Sequence, residues 1–215
     1  AFPAGGQAGK LLSVKLMGDP TGPIQKNIQL PEKEDLSFGY RVEQNGLIAP
    51  SPNLIRVCNF PSIREAEPND GRNSATATEL NLPLAFDGII EKENDQDWFK
   101  FKAKKGQKFN LLAHAQSISS PLDPVLNLYD ANGKNIKGSD DANNGRDSLI
   151  TITIPKDDYY FLRVRDHLFA GGEHFVYRLE SLPFSPKVEA TIPLFGNRDT
   201  QSRQMIPIAR GNKSA

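Results

Sequence analysis

Two short acidic runs, Glu65-Ala66-Glu67-Pro68-Asn69-Asp70 and Asp95-Gln96-Asp97-Trp98-Phe99, hold the residues best suited to chemistry. Carboxylates closed by an amide offer oxygen donors only, and Ca²⁺ takes roughly six to eight oxygens from such groups. Glu65, Glu67 and Asn69 are two residues apart, so an extended segment places all three on one side. Pro68 favours an extended Glu67. The same charges also fit a solvated loop, where acidic side chains mostly lie. Spacing alone leaves both readings open.

Other reactive groups are less well assembled. Asp123, Asp140 and Asp141 could form a second oxygen cluster, but Asp123-Pro124 suits a strand start and Asp140-Asp141 a hairpin loop. His114 falls on the outer face of an expected strand, and His167 and His174 flank the Gly171-Gly172 turn without a cysteine or third ligand nearby. Ala4-Gly5-Gly6-Gln7-Ala8-Gly9-Lys10-Leu11 departs from a phosphate-binding loop at its first glycine and at the magnesium-binding hydroxyl, so a tight turn between strands is expected there. Neither a Gly-x-Ser-x-Gly elbow nor a His-Glu-x-x-His helix is present. A non-enzymatic role is expected.

Composition narrows the classes further. Lys and Arg number 26 and so do Asp and Glu, which argues against the basic field of a nucleic-acid binder. No apolar run is long enough for a membrane span. Ala1 to Gly6 lacks the basic and apolar regions of a signal peptide, so the sequence reads as a mature form or an excised piece. Cys58 is the single cysteine, which leaves a buried apolar role and no internal disulfide.

The elements that must position the acidic runs are strands. Phe99, Phe101 and Ala103 alternate with Lys100 and Lys102, and Phe109, Leu111, Ala113 and Ala115 share one face. Ile150, Ile152 and Ile154 repeat the period, as do Tyr160, Leu162 and Val164, and then Phe175, Tyr177 and Leu179. Turn residues separate them at Lys105-Gly106-Gln107, Asp130-Ala131-Asn132-Gly133, Asn144-Gly145 and Gly171-Gly172. The period predicts one β-sandwich over 63–182. A smaller β module over 1–62 uses Leu12/Val14/Leu16, Ile28/Leu30, Phe38/Tyr40/Val42 and Ile55/Val57, with Ala49-Pro50-Ser51-Pro52 as a stiff connector. The tail, 183–215, is expected either to complete that module or to begin another. A short helix over Ala75–Leu80, capped by Asn73 or Ser74, is the one helical expectation.

The ordered series from Glu65-Ala66-Glu67-Pro68-Asn69-Asp70 through Ala75-Thr76-Ala77, Asp95-Gln96-Asp97-Trp98-Phe99-Lys100-Phe101 and Lys105-Gly106-Gln107-Lys108 carries a family likeness. It continues in Leu122-Asp123-Pro124-Val125-Leu126-Asn127-Leu128-Tyr129-Asp130-Ala131-Asn132-Gly133, then Asp140-Asp141, Asp147-Ser148 and Asp158-Tyr159-Tyr160-Phe161-Leu162-Arg163-Val164. Together these resemble the bacterial pre-peptidase C-terminal domain over just over half of the chain. The resemblance implies an all-β, jelly-roll-like antiparallel β-sandwich found beside secreted proteases and in large surface proteins. The flank, from Pro3-Ala4-Gly5-Gly6-Gln7-Ala8-Gly9 to Ala49-Pro50-Ser51-Pro52-Asn53, resembles that of large multidomain planctomycete proteins, where such modules alternate with immunoglobulin-like segments.

In the related collagen-binding domains of clostridial collagenases, calcium sits on a Glu-x-Glu-x-Asn-Asp run and on acids before an aromatic strand. The likeness therefore implies Ca²⁺ on Glu65, Glu67, Asn69, Asp70, Asp95 and Asp97. The second run here is Asp-x-Asp, a departure in ligand spacing. The expected function is a non-catalytic, calcium-stabilised accessory or spacer module of a secreted or cell-surface multidomain protein. Its expected partners are neighbouring domains of the parent protein, with weak binding of polysaccharide or extended polypeptide. The alternative is a dedicated carbohydrate- or collagen-like-polypeptide-binding domain attached to a hydrolase. Tyr129, Tyr159, Phe161 and Tyr177 could form an aromatic platform for it, although Tyr177 and Tyr160 are expected to face inward.

Overall fold

The computed structural model describes residues 1–184 except 20, 45, 142–144 and 146. Ala1–Phe184 is one compact unit; a second, Ser185–Ala215, lies outside the described residues, as do Asn144 and nearly all of the expected tail. The strands in chain order are β1 (Gly5–Gln7), β2 (Leu11–Leu16), β3 (Ile24–Gln29), β4 (Asp35–Tyr40), β5 (Glu43–Gln44), β6 (Leu47–Ile48), β7 (Asn53–Cys58), β8 (Ser62–Arg64) and β9 (Thr76–Ala77). They continue as β10 (Ala85–Ile89), β11 (Gln96–Ala103), β12 (Lys108–His114), β13 (Pro124–Asp130), β14 (Asn135–Ser139), β15 (Leu149–Thr153), β16 (Asp158–Asp166) and β17 (Val176–Pro183).

Two five-stranded sheets make the sandwich. The first has the order β15-β12-β17-β10-β8 and the second β14-β13-β16-β11-β9. Pairing is antiparallel except at the edges, where β8 lies parallel to β10 and β9 parallel to β11. The fold is all-β, as the period of two requires. The alternating apolar residues close one core: Phe99 and Phe101 of β11, Phe109 and Leu111 of β12, Tyr160, Leu162 and Val164 of β16, and Tyr177 and Leu179 of β17 are all buried in it. Phe86 anchors the centre, with its ring centroid 4.7 Å from that of Phe99.

The expected helix over Ala75–Leu80 does not form. Thr76 and Ala77 instead pair with Phe99 and Lys100 as an edge strand, and Thr78 continues the contact by donating to the Lys100 carbonyl (3.0 Å). Two threonines are β-branched and suit a strand, and satisfying a sheet edge outweighs the weak helix preference of the two alanines. Gly71-Ser74 is a turn closed by the Ser74 hydroxyl.

The N-terminal residues form a three-stranded sheet, β1-β7-β4, with the hairpins β2-β3 and β5-β6. Val14, Leu16, Ile28, Leu30, Val42, Ile55 and Val57 make a small core there, with Leu12, Phe38 and Tyr40 partly buried against it. The sequence-level boundary between 62 and 63 falls inside β8, so the connection into the sandwich is itself an edge strand. The N-terminal module covers the outer face of the first sheet, whereas the outer face of the second carries no such cover among the described residues.

Candidate metal centre

The sandwich closes at one end on an acidic pocket. Glu65 follows β8 directly, and its amide prolongs the parallel pairing by donating to the Asp87 carbonyl (3.0 Å). Asp97 is the second residue of β11 and lies on the same face as Phe99 and Phe101, so the alternation that builds the core drives its carboxylate inward. Irregular chain from Ala66 to Asn69 connects the sheets over this end, where the Asn69 carbonyl accepts from the Trp98 amide (3.1 Å). Carboxylate oxygens of Glu65, Glu67 and Asp97 converge within 4.8 Å of one another. The fully buried Asn69 amide adds its oxygen 2.9 Å from Asp97 Oδ1 and 3.0 Å from Glu67 Oε1; with the amide turned, its nitrogen donates to both. Four of the six expected ligands therefore meet at one point.

Asp95 and Asp70 stand beside that point. Asp95 is buried, but its oxygens accept from the Glu91 amide (2.6 Å) and the Gln96 amide (3.0 Å), which pins the turn entering β11. Asp70 meets the Asp95 side chain, and its carbonyl accepts from Gln96 Nε2 (3.1 Å). These two extend the negative field and fix the loop.

Three contributors were not picked out as site residues in the sequence. The Tyr177 hydroxyl donates to Asp97 Oδ2 (2.6 Å) and reaches Glu65 Oε2 (3.2 Å), and the Ile89 amide donates to Glu65 Oε1 (2.8 Å). Gly88 is the third: a Cβ there would collide with both the Tyr177 hydroxyl and the Glu65 carboxylate. Tyr177 was legible as inward-facing, and a core tyrosine must find an acceptor for its hydroxyl. Backbone amides and a close approach to glycine leave no comparable trace in a sequence.

The pocket gathers carboxyl groups whose ionisation its surroundings do not balance. Burial raises the Glu65 carboxyl to about 8 and the Asp97 carboxyl to about 10, and in Asp97 the neighbouring Glu65 charge adds to the rise. Burial also raises Glu67 and Asp95. Two desolvated carboxylates this close share a proton unless a cation intervenes. No Lys or Arg pairs with Glu65, Glu67 or Asp97 among the described residues.

Other candidates do not assemble. Asp140 pairs with His167 (3.2 Å) and His174 sits by Glu173 (3.6 Å), so the two histidines face different acids at the surface. Asp123 lies with the Asp166 side chain, which accepts from its amide (3.0 Å), rather than with Asp140 and Asp141 in a group of ligand atoms. Cys58 is buried, and burial pushes its thiol up to about 12, well removed from reactivity.

A second buried charge cluster lies on the outer face of the first sheet, beneath the N-terminal module. Arg178 donates to Asp87 Oδ2 (2.7 Å) and to Glu180 Oε1 (2.9 Å), and Arg56 of β7 grips Glu180 through two bonds of 2.9 Å. His114 Nε2 lies 3.3 Å from Glu180. Burial alone would raise Glu180, but His114, Arg56 and Arg178 together hold it well below the usual carboxylate range. Gly5 of β1 leaves the space that the Arg178 guanidinium fills.

Residues 95–166, within the sandwich, match the model of the bacterial pre-peptidase C-terminal domain. The chain is 40% identical over 99 residues to a protein of Deinococcus radiodurans named "Probable subtilase-type serine protease". The match covers 46% of this chain and 14% of that relative. Among solved structures, the pre-peptidase C-terminal domain of the Bacillus anthracis collagenase superposes at a TM-score of 0.40 with 14% identity, over 50% of this chain and 96% of that one. A periplasmic inhibitor of g-type lysozyme from Aeromonas hydrophila gives 0.39 and 14%, over 50% and 95%.

Proposed function

We propose that the acidic pocket is a structural Ca²⁺ site and that the chain is a non-catalytic accessory or spacer module of a secreted or cell-surface multidomain protein. The observation that carries this reading is the convergence of the Glu65, Glu67 and Asp97 carboxylates beside the buried Asn69 amide, with no protein cation opposing them among the described residues. An all-oxygen set of this kind suits a hard cation, and the flexible loop donors suit Ca²⁺ better than the stricter geometry of Mg²⁺. Bound there, the ion supplies two positive charges where the folded chain otherwise gathers carboxylates.

The chain's own residues do the rest. Glu65 and Tyr177 belong to the first sheet and Asp97 to the second, while Glu67 and Asn69 lie on the loop that bridges them. Gathering their oxygens ties both sheets and the entry from the N-terminal module at one end of the sandwich. The likeness to a short segment of a subtilase-type protease supports an accessory role beside a catalytic domain, and neighbouring domains of the parent protein are the first partners. An extracellular setting follows from the calcium reading.

Thermal melting in EDTA, in millimolar Ca²⁺ and in millimolar Mg²⁺ tests this. A ligand that binds only the folded state at a hundredfold excess over Kd stabilises it by about 2.7 kcal/mol. For a unit of this size that is a rise of about 5–10 °C, expected with Ca²⁺ and much smaller with Mg²⁺. Equal melting in all three solutions would remove the metal from the account.

A further inference from the structure

The outer face of the second sheet is a line of cations. On β16 the outward residues are Tyr159, Phe161, Arg163 and Arg165, and on β11 they are Trp98, Lys100 and Lys102. Arg163 lies opposite Trp98, and Lys100 lies opposite Phe161 one step further along. The ring faces are already occupied. Lys100 sits 4.3 Å over Tyr159, Arg163 lies 5.7 Å from both Trp98 and Tyr129, and Arg165 sits 4.3 Å over Phe169. Trp98 and Phe161 are only 9% and 8% exposed. Tyr129, Tyr159 and Phe161, the members on this face of the aromatic platform that the sequence offered as an alternative, thus lie under cations of the same face, and charge is what it offers to a partner.

That charge is largely uncompensated. Of these cations, only Lys102 forms an ion pair among the described residues, with Glu79 at 2.6 Å. Arg163 spends its donors on the neutral Asn127 (2.7 Å) and Gln96 (3.4 Å), and Arg165 on backbone carbonyls. Lys100, Arg163 and Arg165 have no carboxylate within ion-pairing distance among the described residues. In a chain of zero net charge this concentrates positive potential on the one sheet face that the N-terminal module leaves open.

We infer that this face docks an extended acidic polypeptide bearing carboxylates on alternate residues. Arg165 and Arg163 are two residues apart on one strand, a step of about 6.8 Å, and Lys100 follows one further step on the neighbouring strand. An extended peptide laid along β16 presents every second side chain at that same pitch. A polysaccharide is the poorer fit, because sugar rings need open aromatic faces and these are taken. The inference adds a partner to the accessory-module reading and does not use the metal pocket, so the melting experiment and this one can fail separately.

Trp98 is the only tryptophan and touches the track, so its emission reports binding directly. The intact chain, with Ca²⁺ present and again in EDTA, is titrated with a synthetic peptide alternating glutamate and serine. Comparators are a peptide of the same composition with its glutamates in one block, and polygalacturonate. A saturable change with the alternating peptide is expected, weakened about fivefold by Lys100→Gln and largely lost in about 0.5 M salt, where screening is short-ranged. Lys100→Gln leaves the Trp98–Arg163–Tyr129 stack in place, and Lys33→Gln in the N-terminal module should leave binding unchanged. No saturable change, or no effect of Lys100→Gln, overturns the proposal. Equal binding of the blocked peptide overturns the pitch argument, and equal or tighter binding of polygalacturonate overturns the polypeptide assignment.

Discussion

Among the described residues, two clusters of buried acids meet the problem of buried charge in opposite ways. Beneath the N-terminal module, Arg56 and Arg178 face Asp87 and Glu180, so the chain carries its own counter-charges. At the end of the sandwich, Glu65, Glu67 and Asp97 face each other with a tyrosine hydroxyl, backbone amides and an asparagine as their only helpers. Burial of an unpaired charge is unfavourable by several kcal/mol, so natural cores pair such groups or give them a metal. The first cluster fastens two parts of one chain to each other. The second, on the reading proposed above, takes its counter-charge from a cation in solution, which would make it a conditional joint beside a fixed one.

The comparison breaks most visibly at Arg178. Replacing it with methionine leaves Asp87 and Glu180 buried without their guanidinium, and removing one partner of such a pair is unfavourable by about 3–5 kcal/mol. Urea unfolding should show that loss with and without Ca²⁺ alike, because the metal pocket is a separate site. A loss that disappeared in Ca²⁺ would mean that the two clusters are coupled.

Acidity should then pull the clusters in opposite directions. Folded Glu65 and Asp97 keep protons up to about pH 8 and 10, above their ordinary values of 4.5 and 3.8. The folded chain therefore binds more protons than the unfolded one across that window. This contribution is whole below the ordinary carboxylate range and is lost as pH rises, at about 1.4 kcal/mol per pH unit for each proton. Glu180 runs the other way: its depressed folded value adds stability above pH 4.5 that is lost on acidification. In EDTA the melting temperature should fall from pH 5 to pH 8, and Ca²⁺ should flatten that fall. A level profile in EDTA would show that the dyad does not hold its proton.

These contrasts also mark what the sequence could express. The sandwich was readable because a period of two in Phe99-Phe101, Tyr160-Leu162-Val164 and Tyr177-Leu179 has one outcome in a half-buried sheet. The acids of the metal pocket were readable because they are local, two runs of a few residues each. The balanced cluster was not, because its members come from four distant strands and from a module whose placement over the first sheet no periodicity encodes. Arg178 and Glu180 occupy outward positions that look solvent-exposed until Arg56 and Cys58 arrive above them. The short strand at Thr76-Ala77 was missed for a related reason, since an edge pairing depends on the partner strand and not on the two residues themselves.

A smaller effect isolates the hydroxyl. Tyr177→Phe removes the donor that Asp97 holds at 2.6 Å and leaves the ring packed against Phe99. A buried carboxylate deprived of one hydrogen bond should destabilise the metal-free chain by about 1–2 kcal/mol. Part of that should return in Ca²⁺, where the ion meets the same oxygen. Equal loss in both conditions would show that the hydroxyl serves the fold alone and shares no oxygen with a bound ion.

The smallest change in the metal-free chain should come from the most central acid. Asp97→Asn keeps the shape, cannot ionise to meet a cation and still accepts from Tyr177. In EDTA the variant should melt close to the wild type, because the Asp97 it replaces is already protonated there below about pH 10. In Ca²⁺ it should lose most of the rise that the wild type gains, about 2.7 kcal/mol at a hundredfold excess over Kd. The paired result is what distinguishes a ligand from a structural acid. A carboxylate serving only the fold, like Glu180, would destabilise the chain in both solutions when neutralised, whereas one kept for a cation should matter only when the cation is there.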